Sequence, residues 1–158
     1  MPGRSREKPL LNPDFRDILF AFSEEKVEYM VVAAYALAFH GFPRATGDID
    51  LWIQCSDDNA QRVWRALDRF GAPLFDLTLD DLKTPGTVFQ IGLAPVRIDI
   101  LTSIGGVEFL EAQAEQRVVE ITGLSVPVIG RAHLLRNKKA AGRPKDLADI
   151  TWLESQGD

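Results

Sequence analysis

The chain is poor in the residues that most often carry covalent and metal chemistry. A single cysteine, Cys55, stands among 158 residues, so no intrachain disulfide can form and no cysteine cluster for zinc exists. That usage suits a reducing, cytoplasmic setting. There are only two histidines, His40 and His133. No apolar run approaches the ~18 residues of a membrane span. The charged start, Met1 to Lys8, is followed by no apolar signal-peptide core, so no membrane partner is expected. Cations are outnumbered, 18 Lys and Arg against 23 Asp and Glu, which leaves a net charge of −5. Broad binding to a nucleic-acid backbone depends on many phosphate contacts from Lys and Arg, and this balance argues against it.

What is present is ordinary for a folded chain, 46% hydrophobic and 26% charged residues. The length suits one domain with a real core. We read residues 1–11 as a flexible polar tail and 12–158 as that domain. Apolar residues at Phe15, Ile18, Leu19 and Phe22 fall at helical spacing behind Asn12-Pro13. A strand follows at 29–33, then a short helical segment at 34–40, a Gly41-Phe42-Pro43 break and a strand at 48–54. Ser56-Asp57-Asp58 caps a helix closed by Gly71. Residues 87–93 and 96–101 make one hairpin, and 117–121 and 124–128 another. Helices are expected from Arg131 to Ala140 and from Pro144 to Glu154. The fold class is α+β, a small mixed, mostly antiparallel sheet with helices packed on one face.

Chemistry concentrates in Arg44-Ala-Thr46-Gly-Asp48-Ile-Asp50-Leu-Trp52-Ile and in Val96-Arg-Ile-Asp99-Ile-Leu. In a strand, residues i and i+2 share a face, so Asp48 and Asp50 point one way while Ile49, Leu51 and Ile53 point into a core. Asp99 repeats the design between Ile98 and Ile100. Two neighbouring strands would bring three carboxylates together. Without counter-charge each pair would repel by roughly 3 kcal/mol at ~5 Å and an effective dielectric of ~20. A bound hard cation removes that penalty.

The order of strand, short helix, Gly41 break, Arg44-x-Thr46-x-Asp48-x-Asp50 and a later Asp99 resembles the nucleotidyltransferase superfamily with the polymerase β type of core. The segments His40 to Asp50 and Asn137-Lys-Lys-Ala-Ala-Gly-Arg143-Pro-Lys145-Asp146-Leu-Ala-Asp149 are similar to small bacterial members, some of them toxins or antitoxins of abortive-infection systems. The resemblance implies a nucleotidyltransferase-like fold and two Mg²⁺ ions held by Asp48, Asp50 and Asp99, with a nucleoside triphosphate (NTP) as substrate. Asp48 and Asp50 would hold the metal that carries the triphosphate. Asp99 would complete the second site beside the acceptor hydroxyl and accept its proton. The reaction transfers a nucleoside monophosphate to a protein, RNA or small-molecule hydroxyl. Where the family has Gly-Gly or Gly-Ser at the nucleotide, this chain has Ala33-Ala34, and an L-residue at a glycine position costs ~1–2 kcal/mol. The alternative reading is therefore a fold that has lost catalysis and serves as a binding or regulatory partner, for instance of a small helical protein in a toxin–antitoxin pair. A carboxylate-metal nuclease is a third.

Other residues carry two readings. Arg44 and Thr46 either touch the nucleotide or brace the loop, as a salt bridge and a backbone cap. Arg131 to Lys145 holds six cations and no acid, either a solvated face or a source of triphosphate ligands, with Lys138 and Arg143 the candidates. His40 is read as a helix-end cap bonded to its helix's last carbonyls, His133 as a surface residue and Trp52 as core packing or a base platform. Asp146 and Asp149 are read as structural partners of Arg143 or Lys145.

Overall fold

The computed structural model describes residues 12–42, 47–93 and 96–156. The expected tail at 1–11 and the loop residues Arg44 and Thr46 lie outside these ranges. In chain order the elements are α1 (Pro13–Glu24), β1 (Tyr29–Val32), α2 (Ala33–Phe39), β2 (Asp48–Ile53), α3 (Asp57–Phe70), β3 (Val88–Leu93), β4 (Val96–Leu101), α4 (Phe109–Gln113), β5 (Arg117–Ile121), β6 (Leu124–Val128), α5 (Arg131–Ala141) and α6 (Leu147–Ser155). A 3-10 turn, Pro144–Asp146, leads into α6. Among these residues no helix is long and apolar enough to cross a membrane.

Local chemistry accounts for the helix ends. The Asn12 side chain accepts a hydrogen bond from the Asp14 N–H at 2.8 Å, and Pro13 occupies the first turn of α1, where its missing N–H costs nothing. Ser56 Oγ accepts from the Asn59 N–H at 3.2 Å and starts α3. Gly71 ends that helix at φ +93°, a left-handed conformation open to a residue without Cβ.

The six strands form one sheet in the order β3-β4-β2-β1-β6-β5. Three neighbouring pairs are antiparallel, β3 with β4, β2 with β1, and β5 with β6. The pairs β2–β4 and β1–β6 are parallel. A parallel pair needs a crossover, which α3 and the segment behind it supply between β2 and β4.

Register decides what each face carries. Tyr29 pairs with Ile53 and Val31 with Leu51, so these four and Ile49 share one face. Phe22 of α1 meets the Tyr29 ring edge to face, centroids 4.9 Å apart. That contact puts α1 over the apolar face, with α3 packed beside it. Ile49, Leu51 and Ile53 are wholly buried there, each worth about 1.5–3 kcal/mol of transfer free energy. The other face carries Asp48 and Asp50. At its far end Trp52 is closed over by Phe109 of α4, ring centroids 5.0 Å apart.

Two polar contacts fix the elements around the site. Asn59 is buried and donates to Glu28 O at 3.0 Å and Gln54 O at 2.8 Å, while its Oδ1 accepts from the Glu28 N–H at 2.8 Å. It ties the start of α3 to the ends of β1 and β2. His40 caps α2 as expected, its backbone N–H donating to Ala36 O at 3.0 Å and Leu37 O at 3.1 Å, and its ring, with Nε2 2.7 Å from Ile129 O, joins α2 to the end of β6. The reason is proximity: Ile129 runs beside β1, its N–H donating to Val31 O.

Ala33 opens α2 at φ +61°, in the left-handed region that an alanine enters at a cost of ~1–2 kcal/mol. Ala33→Gly removes that cost, and the larger backbone freedom of an unfolded glycine takes back about 0.4–1 kcal/mol. The variant is expected to be more stable than the parent by roughly 0.5–1 kcal/mol in urea unfolding.

Candidate functional site

The parallel register sets Asp50 beside Asp99 and Asp48 beside Arg97. All four project from the same face, because alternation along β2 and β4 selects i and i+2. The expected gathering of three carboxylates on neighbouring strands is therefore present. With it comes a residue that the sequence reading passed over, Arg97. Its Nε donates to Asp99 Oδ1 at 3.0 Å and its Nη2 to Asp99 Oδ2 at 3.2 Å. The same Nη2 lies 3.2 Å from Asp48 Oδ2. The signal was available, since Arg97 stands two residues before Asp99.

Burial and charge act together on Asp50. Its carboxyl is pushed up to about 7, first by burial, then by the charge of Asp99, by a hydrogen bond with the Asp99 carboxyl and by Asp48; Arg97 opposes the rise. Two carboxyl groups bonded to one another need a proton between them. With Arg97 in place the Asp50 carboxyl still stays above its ordinary value.

A cleft of about 370 Å³ opens over Asp48 and Asp50. Ala33 and Ala34 line it, and so do Lys138, Arg143, Lys145, Asp146 and Asp149. Of the sequence candidates, Ala33, Ala34, Asp48, Asp50, Lys138 and Arg143 meet there, with Asp99 next to Asp50 on the adjoining strand. Arg44 and Thr46 are outside the described residues.

The cationic wall has its own internal chemistry. Lys138 is buried, its Nζ 3.1 Å from Asp149 Oδ2 and 3.6 Å from Asp146 Oδ1. Arg143 forks Asp146 through Nε to Oδ2 at 2.8 Å and Nη2 to Oδ1 at 3.1 Å, while half of its side chain stays exposed. The structural assignment of Asp146 and Asp149 fits this picture: Asp146 is bonded to Arg143, and Asp149 lies against Lys138 while its charge also acts on Arg143. Lys145 is exposed.

One further reading is corrected, and the open choice at Trp52 is decided for core packing. His133 is buried, not a surface residue; its ring nitrogens stand 3.8 Å from Glu111 and Glu115 carboxylates, because α4 and the residues after it lie over the start of α5. Trp52 packs against Phe109 and is 2% exposed, which removes it as a platform for a base. The Phe42 ring, just before the loop that leads to β2, stacks on Trp152 of α6 at 4.9 Å and 16°.

The donor set, carboxylate oxygens alone, suits a hard divalent cation such as Mg²⁺. As the side chains stand, no three acidic, imidazole or thiol groups among the described residues surround one point as a formed metal site. Arg97 instead bonds both carboxylate oxygens of Asp99 and lies 3.2 Å from Asp48 Oδ2.

No family model matches the sequence, and no curated protein does. Solved structures do. A Thermotoga maritima protein proposed to be a nucleotidyltransferase superposes with a TM-score of 0.63 at 17% identity, over 96% of this chain and 98% of that one. The lincosamide antibiotic adenylyltransferase LnuA, solved with lincomycin bound, gives a TM-score of 0.57 at 15% identity, over 94% of this chain and 99% of its own. The fold is that of the nucleotidyltransferases.

Two outcomes follow for the wall. Lys138→Met leaves Asp149 buried without its ammonium, and unfolding experiments should show a loss of roughly 3–5 kcal/mol. Asp146 is held below its ordinary value, chiefly by the hydrogen bond from Arg143 and against the effect of burial. Its contribution is present above the unfolded value of about 3.9 and is lost as pH falls through the lower folded value. Urea midpoints between pH 6 and pH 2 should therefore fall more steeply for the parent than for Asp146→Asn.

Proposed function

We propose that the protein is a nucleotidyltransferase that moves a nucleoside monophosphate from an NTP to a hydroxyl acceptor and releases pyrophosphate. One observation carries the reading: Asp48 and Asp50, with Asp99 in register beside them, face a wall of Lys138, Arg143 and Lys145 across one cleft. An acidic floor and a cationic wall together suit a polyanionic substrate that arrives with divalent cations.

The residues divide the work as follows. Asp48, Asp50 and Asp99 would hold Mg²⁺, which when bound supplies Lewis-acid stabilisation of the attacking and leaving oxygens. The acceptor oxygen bonds to the α-phosphorus as the bond from that phosphorus to the pyrophosphate oxygen breaks. Asp99, beside Asp50, takes the hydroxyl proton. Arg143 and Lys145 stand at the open side of the wall and contact the phosphates. Lys138 keeps the wall in shape, its charge being taken by Asp146 and Asp149. Arg44 and Thr46 belong to the loop that enters β2 and are assigned to the nucleotide as well. The acceptor class is protein, RNA or small molecule, and a neighbour that adenylylates a lincosamide antibiotic is a precedent for the last.

A second reading, a partner without catalysis in a toxin–antitoxin pair, draws on Ala33 at positive φ, where two methyl groups narrow the nucleotide side of the cleft. Calorimetry with ATP, GTP, CTP and UTP, with and without Mg²⁺, separates the two. Binding that requires Mg²⁺ supports transfer, and its absence in the folded protein supports the partner reading. Under the first reading Asp50→Asn abolishes nucleotide transfer, a loss of at least ~10²-fold. It should hold folding stability within about 1 kcal/mol of the parent, since a repelling charge is removed. Loss of folding, or full transfer, would count against Asp50 as a ligand.

A further inference from the structure

Arg97 is positioned in a way that nucleotidyl transfer does not by itself require. Its guanidinium makes two bonds to Asp99 and approaches Asp48, two of the three groups assigned to the metal. Bidentate guanidinium–carboxylate contacts are strong and directional. The Arg97 guanidinium thus brings positive charge to the carboxylates that would hold the cation.

We propose that Arg97 is the resident counter-ion of the carboxylate cluster, competing with the divalent cation for Asp48 and Asp99 and yielding to it by moving aside. The inference rests on the metal-dependent reading above. It goes further by assigning a residue and an order of events: the guanidinium leaves, then the cation enters.

The surroundings permit this movement. Arg97 is anchored through its backbone, its N–H donating to Gly47 O at 3.1 Å, so strand β4 holds while the side chain turns. That side chain is 31% exposed, against 10% for Asp99, and so lies at the rim of the cluster. On the side away from Asp48, the residue paired with Arg97 is Gly92 of edge strand β3. Gly92 sits at φ +83° with Val96 O only 3.0 Å from where a Cβ would be, so backbone geometry keeps this position free of a side chain. Among the described residues, Arg97 thus has a carboxylate neighbour on one strand and a residue without a side chain on the other. A long, hydrated cation can lie across that glycine with its stem on the sheet and its head in water.

A merely structural Arg97 and a competing one give opposite results when it is removed. Mn²⁺ alone is the probe, titrated by calorimetry into the full chain, parent and Arg97→Met, with thermal unfolding in parallel. Competition predicts Mn²⁺ affinity at least ~10-fold higher in Arg97→Met, since the occupant is gone. It also predicts a melting temperature that is lower than the parent's without metal and recovers on adding Mn²⁺. Arg97→Lys keeps the charge but cannot fork a carboxylate, so it should fold and bind Mn²⁺ with intermediate affinity. Equal or weaker binding by both variants overturns the competition while leaving metal-dependent transfer intact. No Mn²⁺ binding by any of the proteins overturns both.

Discussion

Like charge on one face of a sheet is the constraint around which this molecule is organised. An apolar sheet gains from covering both faces, yet here two adjoining strands place Asp48, Asp50 and Asp99 together, with the Arg97 guanidinium bonded to Asp99 and close to Asp48. The cost shows in Asp50, whose carboxyl is pushed up to about 7. The opposite face bears the stability, with Ile49, Leu51 and Ile53 wholly buried below α1. One strand can do both because its period is two.

The second charge system is built the other way. Around Lys138, Asp146, Asp149 and Arg143, cations and carboxylates alternate at bonding distance, and the carboxylates are buried and satisfied. This cluster gives the cleft a rigid wall, whereas the floor is left electrostatically hungry. The contrast between a settled wall and an unsettled floor gives the cleft its functional character. It does not depend on how the fold is classified.

Much of this was legible in the sequence because it is local. Alternation in Asp48–Ile53 and Val96–Leu101, the Asn12 and Ser56 caps and the Gly71 stop are rules about residues a few positions apart, and each element formed within a residue or two of expectation. The gathering of Asp99 with Asp50 was also foreseen, although not that β2 and β4 run parallel. What escaped depends on distant neighbours. Nothing near His133 announces that α4 will cover it, and nothing near Lys138 says that its carboxylate partners will come from the 3-10 turn and the helix that follow. Asn59, which binds two strand ends, reads locally as an ordinary polar residue in a first helical turn. Arg97 is the exception: it stands two residues before Asp99, and strand alternation alone puts the two side chains on one face.

The stack of Phe42 on Trp152 has a practical side. Of the three tryptophans, Trp52 is buried against Phe109 and Trp64 belongs to α3. Trp152 is stacked on Phe42. Its partly buried indole gives the molecule a built-in optical reporter, and with Trp52 and Trp64 replaced by phenylalanine its emission would report on the contact between Phe42 and α6 without any attached dye.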